Sequence, residues 1–113
     1  MAAPQIKTAI PKRRYQLGEF YITVLADIVS EDPVEYRYIM AVVTNDNPTP
    51  GLFLAVERDS EGTPWRLRLA MPDGEQSLGS DAPWGDLEYL CREGLSILTN
   101  LLDLQDEEPH RLL

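Results

Sequence analysis

The chain has 113 residues, 43% of them hydrophobic and 26% charged, with a single cysteine and a formal net charge of −9. This length suits one hydrophobic core and excludes two domains of ordinary size, and the composition is that of a globular chain, not a disordered one. No apolar run approaches the roughly 20 residues of a membrane-spanning helix, no apolar h-region adjoins the N-terminal charges, and a lone cysteine has no disulfide partner within the chain; a cytoplasmic protein without membrane contact is expected.

The first 14 residues hold four basic side chains, Lys7, Lys12, Arg13 and Arg14, and no acid, whereas the rest of the chain holds six basic and nineteen acidic residues. With Pro4, Pro11 and no sustained period, residues 1–14 read as a flexible basic arm, with order beginning near Tyr15. Such an arm either grips an anionic partner or folds back on the acidic body of its own or a neighbouring subunit.

Residues 17–29 satisfy two templates. As a strand, Phe20, Ile22, Val24, Ala26 and Ile28 alternate on one side, opposite Tyr21, Thr23, Leu25 and Asp27. As a helix, Leu17, Phe20, Tyr21, Val24, Leu25 and Ile28 form one stripe. A helix here would place Lys12, Arg13 and Arg14 at its positive end and Glu31 and Asp32 at its negative end, unfavourable at both. The density of Phe, Tyr, Ile, Thr and Val also suits a pleated sheet, so a strand is expected. The apolar phase slips at Gly18, which predicts a β-bulge there.

Residues 30–34 read as a turn, and 36–44, apolar on both sides, as a central strand. Asn45, Asp46, Pro48, Pro50 and Gly51 mark a loop over 45–51. Strands follow at 52–58 and 65–71, the latter alternating Trp65, Leu67, Leu69 and Met71 with Arg66, Arg68 and Ala70. Turns at 59–64 and 72–74 separate these from each other and from a possible short edge strand at 75–78. Loops this short between consecutive strands impose antiparallel pairing.

From Trp84 to Leu104 apolar residues recur every three or four positions, the period of a helix with one broad buried face. Ser80 or Asp81 is the expected N-cap, with Pro83 in the first turn. Gly94, near the middle of the apolar face, costs about 1 kcal/mol of helix propensity and implies a close backbone approach. Residues 106–113 read as an acidic, frayed tail. The predicted fold is α+β: one domain over 15–105, a four-stranded antiparallel meander with a possible fifth strand, packed on one face by a long C-terminal helix. The alternative is helix, three strands, helix.

Chemistry is sparse. His110 is the only histidine and Cys91 the only cysteine, which argues against a nitrogen–sulfur metal cluster and a His-based nucleophilic mechanism. Cys91, on the apolar helix face, reads as a buried small hydrophobe. Asn45, Asp46 and Asn47 do not match an EF-hand loop, and Gly74, Gly79 and Gly85 lack phosphate-loop spacing. Most acids fall in turns; Asp27 and Glu57 lie within strands. No catalytic, cofactor-binding or metal-binding residues are assigned, and a non-enzyme is expected.

The function therefore falls to the sheet face that the helix leaves open. That face carries Tyr21, Thr23, Leu25, Arg66 and Arg68, joined by Arg37 or by Tyr36 and Tyr38, a composition common at interfaces. The expected function is a small non-enzymatic interaction domain that self-associates, as a homodimer, through this face. The alternative is a single-stranded nucleic-acid-binding protein using Arg37, Arg66, Arg68 and the basic arm, with tyrosines for base stacking. The predicted strand order followed by a long helix is similar to that of small dimeric domains that bind single-stranded nucleic acid, a likeness of topology alone. The strongly acidic body weighs against it.

Overall fold

The computed structural model describes residues 3–113. Its elements, in chain order, are β1 (Ile6–Leu17), β2 (Phe20–Ser30), β3 (Glu35–Thr44), β4 (Asn47–Arg58), β5 (Arg66–Met71), β6 (Gly74–Gly79), α1 (Leu87–Leu101) and β7 (His110–Arg111). The seven strands form one sheet in the spatial order β6-β5-β4-β3-β2-β1-β7. Strands β1 to β5 each pair antiparallel with the next, and β7 returns from beyond the helix to pair with β1 at Tyr15 and Gln16.

The antiparallel sheet and single helix are those expected from the sequence. Strands β2 to β5 are the four predicted, and β6 is the possible edge strand. Residues 17–29 are not helical, so the order helix, three strands, helix does not occur. The ends of the chain differ from expectation. Where a flexible basic arm is predicted over 1–14, β1 begins at Ile6, Lys7 pairs with Glu31 just beyond β2 and Lys12 with Asp27 of β2; Met1 and Ala2 lie outside the described residues. Where a frayed tail is predicted, His110 and Arg111 add a short strand, and the Leu112 amide donates to the Arg14 carbonyl at 2.7 Å. Both ends are held by backbone pairing, which has no hydrophobic period for a sequence reading to detect.

Three local differences follow from turn and bulge geometry. Gly18, φ +58°, belongs to the tight turn joining β1 to β2 and not to a bulge, so the slip in apolar phase marks a chain reversal. Asp27, φ +50°, is the real irregularity in β2: Ala26 faces one core while Ile28 faces the other, so the alternation expected through Ile28 breaks there. The loop expected over 45–51 narrows to a turn at Asn45 and Asp46, because β4 starts at Asn47, ahead of its first pairing with β5 at Phe53. Pro48 and Pro50 sit in that stretch, where no β5 partner asks for their missing N–H.

Helix α1 starts later than the periodicity predicts, with Asp86, not Ser80 or Asp81, as N-cap; its carboxylate accepts from the Tyr89 amide at 2.9 Å. Trp84 precedes the helix yet shares its core. The helix ends at Leu101, ahead of the predicted Leu104, with Asp103 in the left-handed region. Leu90, Cys91, Gly94 and Leu98 are its buried face. They cover Leu17, Ile22, Val24, Met40, Leu54, Val56, Leu67 and Leu69 of the sheet, each side chain adding about 1.5–3 kcal/mol on leaving water.

Gly94 has the role its position implies. A Cβ there would stand 2.5 Å from the Met40 sulfur, and Met40 is wholly buried. Gly94→Ala should gain about 1 kcal/mol of helix propensity yet lose about 1–3 kcal/mol to overpacking. The expected result in urea unfolding is a net destabilisation. A double-mutant cycle with Met40→Val should show coupling of at least about 0.5 kcal/mol; simple additivity would contradict the close approach.

Candidate interaction face

The sheet face turned away from α1 is built from alternate residues of five strands. Tyr36, Ile39 and Ala41 of β3, Phe53 and Ala55 of β4 and Ala70 of β5 form a second buried cluster, flanked by Ile6, Leu25, Ile28 and Val34. Cross-strand register sets Ala41 beside Phe53, Phe53 beside Ala70, and Ala55 beside Arg68. Small residues in the middle of the face let the long side chains around them close over it.

At one end of this cluster the register aligns Tyr36, Glu57 and Arg66 in a row across three strands. Glu57, only 2% exposed, is the one buried charged residue among those described. Its carboxylate accepts from Arg66 Nε at 3.2 Å and Nη2 at 2.7 Å, and from Arg68 Nε at 2.8 Å. Arg66 also holds Asp59 at 2.9 and 3.0 Å, and Arg68 holds Glu75 at 3.0 Å. The Tyr36 hydroxyl donates to Asp32 Oδ2 at 2.5 Å, and the Gln5 amide donates to the same oxygen at 3.0 Å. Burial, then the Asp32 hydrogen bond, pushes the Tyr36 phenol well above its ordinary value. Around Arg68 burial works against the charge, and the bonds and field of Glu57 outweigh it.

The N-terminal residues complete this half of the face. Pro4 is buried, and Ala3 lines two neighbouring grooves, one with Tyr36, Arg68 and Glu75, the other with Phe53, Ala70 and Met71. The half formed by β1 to β3 is different. Tyr21, Thr23, Leu25 and Val43 there are only half-buried, and α1, the only helix among the described residues, lies on the opposite face. The Arg14 guanidinium lies over the Tyr21 ring at 5.1 Å and makes no ion pair among the described residues.

The residues singled out by sequence thus separate into groups. Tyr21, Thr23 and Arg14 meet on the uncovered half, while Arg66 and Arg68 are consumed by internal carboxylates. Arg37 and Tyr38 are not on this face. Arg37 is the extra residue of a bulge in β3, which leaves Tyr36 on this side and turns Tyr38 to the helix side. The Arg37 guanidinium lies 5.1 Å from the Tyr38 ring and its Nε donates to the Gly85 carbonyl at 3.4 Å. Beside it Arg58 stacks on Trp65 at 4.2 Å and pairs with Glu35 at 2.9 Å.

Of the basic arm, Lys7 pairs with Glu31 at 3.1 Å and Lys12 with Asp27 at 3.8 Å. Arg13 reaches the helix side and holds Glu88 in the first turn of α1, one of its two bonds at 3.1 Å. The arm folds back on the acidic body of its own chain. Cys91 lies on the buried face of α1, and His110 sits exposed in β7. Among the described residues no helix is long and apolar enough to cross a membrane, and no three potential metal ligands gather. Sequence reasoning missed Asp32, Glu75 and the Ala3–Pro4 cover. The alternation of Arg66 and Arg68 opposite an in-strand Glu57 was the available signal.

No protein-family model matches the chain, no curated protein matches it, and no solved structure matches it.

Glu57→Gln would leave two guanidinium groups side by side without their shared carboxylate, and breaking a buried pair in this way costs about 3–5 kcal/mol; thermal unfolding should register a loss of that order. The exposed pairs predict an acid limb. Arg66 holds the Asp59 carboxyl below its ordinary 3.8, and Arg13 holds Glu88 below its ordinary 4.5. Each pair contributes fully above those values and is lost as pH falls through the lowered folded-state values. Unfolding stability should therefore decline as pH drops below about 4.5, and Asp59→Asn with Glu88→Gln should flatten that decline.

Proposed function

We propose that the chain is a small non-enzymatic interaction domain that pairs with a second copy through the uncovered half of its second sheet face. One observation carries the reading: on a face otherwise closed by ion pairs and the N-terminal residues, Tyr21, Thr23, Leu25 and Val43 are left half-buried beneath nothing. A sheet face with aliphatic and aromatic side chains favours a cover, and a second copy presenting the same patch about a twofold axis supplies one. Arg14 stacked on Tyr21 gives a pre-ordered aromatic and cationic anchor of the kind enriched at interface centres.

The nucleic-acid alternative has one feature in its favour, the same Arg14 and Tyr21 pair, which offers a cation beside a stacking ring. Against it stand the net charge of −9 and the internal use of Arg66 and Arg68. Charge reversal at Arg68 does not discriminate, because it would set a second carboxylate against buried Glu57. Substitution on the uncovered half does.

Sedimentation equilibrium should give a dimer, and Tyr21→Glu should convert it to a monomer with unchanged circular dichroism. A wild-type monomer at every concentration would refute the pairing. Salt-sensitive retention of a labelled single-stranded oligonucleotide, lost in Arg14→Glu, would favour the alternative instead.

A further inference from the structure

At the pole where the β1–β2 and β3–β4 turns meet, Phe20, Val42, Leu52 and Leu102 line an apolar groove of about 170 Å³. The register brings the two turns together, since Phe20 pairs with Thr44. The tail beyond α1 joins them: a Cβ on Gly18 would stand 3.5 Å from Leu104 and 3.9 Å from Glu107. The groove therefore sits between the two hairpin ends and the C-terminal end of the helix, and Val43, at the edge of the uncovered half-face, also lines it.

Its rim is acidic. Glu19 and Asp46 occupy the two turns, and Asp103, Asp106, Glu107 and Glu108 follow the helix; none of the six forms an ion pair among the described residues. Residues 17–20, 43–52 and 95–109 contain no lysine or arginine. The last turn of α1 has no basic residue either, so its negative dipole end adds to the same field. Elsewhere eight carboxylates are met by lysine or arginine, while Asp32, Glu61, Asp73, Asp81 and Asp86 form no ion pair among the described residues. Six of the eleven carboxylates that form no ion pair thus belong to the turns and the tail at this pole.

We propose that the groove docks a cationic segment of a partner protein, one apolar side chain of which enters between Phe20, Leu52 and Leu102 while flanking lysines or arginines face the carboxylate rim. Charge selects this occupant. A second copy would bring a net −9 to an acidic pole, and a nucleic acid would bring phosphates to it. The apolar pocket supplies register, and the rim supplies attraction and rejection of anionic competitors.

The test uses the full chain and a fluorescein-labelled peptide of Lys, Arg, Gly and Ser with one central Leu, beside the same peptide with Gly for Leu. Burial of one aliphatic side chain at about 1.5–3 kcal/mol corresponds to a preference of roughly ten- to a hundredfold for the Leu peptide in fluorescence anisotropy. Binding of both should weaken with salt. Thr49 is exposed and lines the groove; Thr49→Lys should remove the Leu preference without altering the unfolding midpoint. Equal binding of the two peptides, or a Leu preference that survives Thr49→Lys, would overturn the proposal. So would a change in the mass of the free protein caused by Thr49→Lys, which would make the groove an interface between copies.

Discussion

A sheet has two faces to withdraw from water, and a single fifteen-residue helix reaches only one of them. Everything unusual in this structure follows from how the second face is closed. On one side Leu90, Cys91 and Leu98 press against aliphatic side chains in an ordinary helix-on-sheet core, tight enough at Gly94 to bring backbone against Met40. On the other side closure is done by polar side chains. Glu57 is buried on β4, and Arg66 and Arg68 reach across to it, their stems lying beside the small residues Ala55 and Ala70. The carboxylate is tolerated because three N–H bonds replace its water. Remove any member and the rest become unmatched charges.

This solution fixes what the chain's cations can do. Of the arginines on the second face, two are committed to carboxylates, and the lysines of β1 are tied to Asp27 and Glu31. A positive patch for a polyanion is therefore not assembled where the sequence places arginines. What is left without an ion pair on this face, among the described residues, is Arg14 on Tyr21, on the half that neither the ion-pair network nor the N-terminal residues cover. The same economy leaves six carboxylates unneutralised at the opposite end of the sheet strands. The surface is thus divided between a half-face with aromatic and aliphatic character and a pole of one sign, and two such regions suit two different kinds of contact.

The edges of the sheet are managed in different ways. The outer edge of β1 carries Pro11, Lys7, Lys12 and several register shifts, and its far end is paired by β7. These devices discourage strand-to-strand association. Lateral sheet extension is thereby disfavoured on that side.

How much of this was legible beforehand depends on which interaction wrote the pattern. Hydrophobic patterning determined strands β3 to β5, the helix and its buried side, because burying an apolar face imposes a repeat of two or of 3.6 residues, whereas β2 fits both periods and was decided by the charges at its ends and its β-branched and aromatic content. Gly94 could be assigned to packing for the same reason. The sequence also showed that the chain's cations and acids are segregated, and that His110 and Cys91 are its one imidazole and its one thiol. Only the tertiary structure decided that the basic N-terminal residues form β1, that the tail forms β7, and that Arg66 and Arg68 turn inward to Glu57. Backbone pairing at an edge leaves no side-chain period, and a long arginine beside a carboxylate looks the same in sequence whether it faces water or closes a core. The bulges at Asp27 and Arg37 belong to this second group: one inserted residue reverses which side every later side chain faces, and a positive φ at Asp27 carries no signature in the amino-acid code.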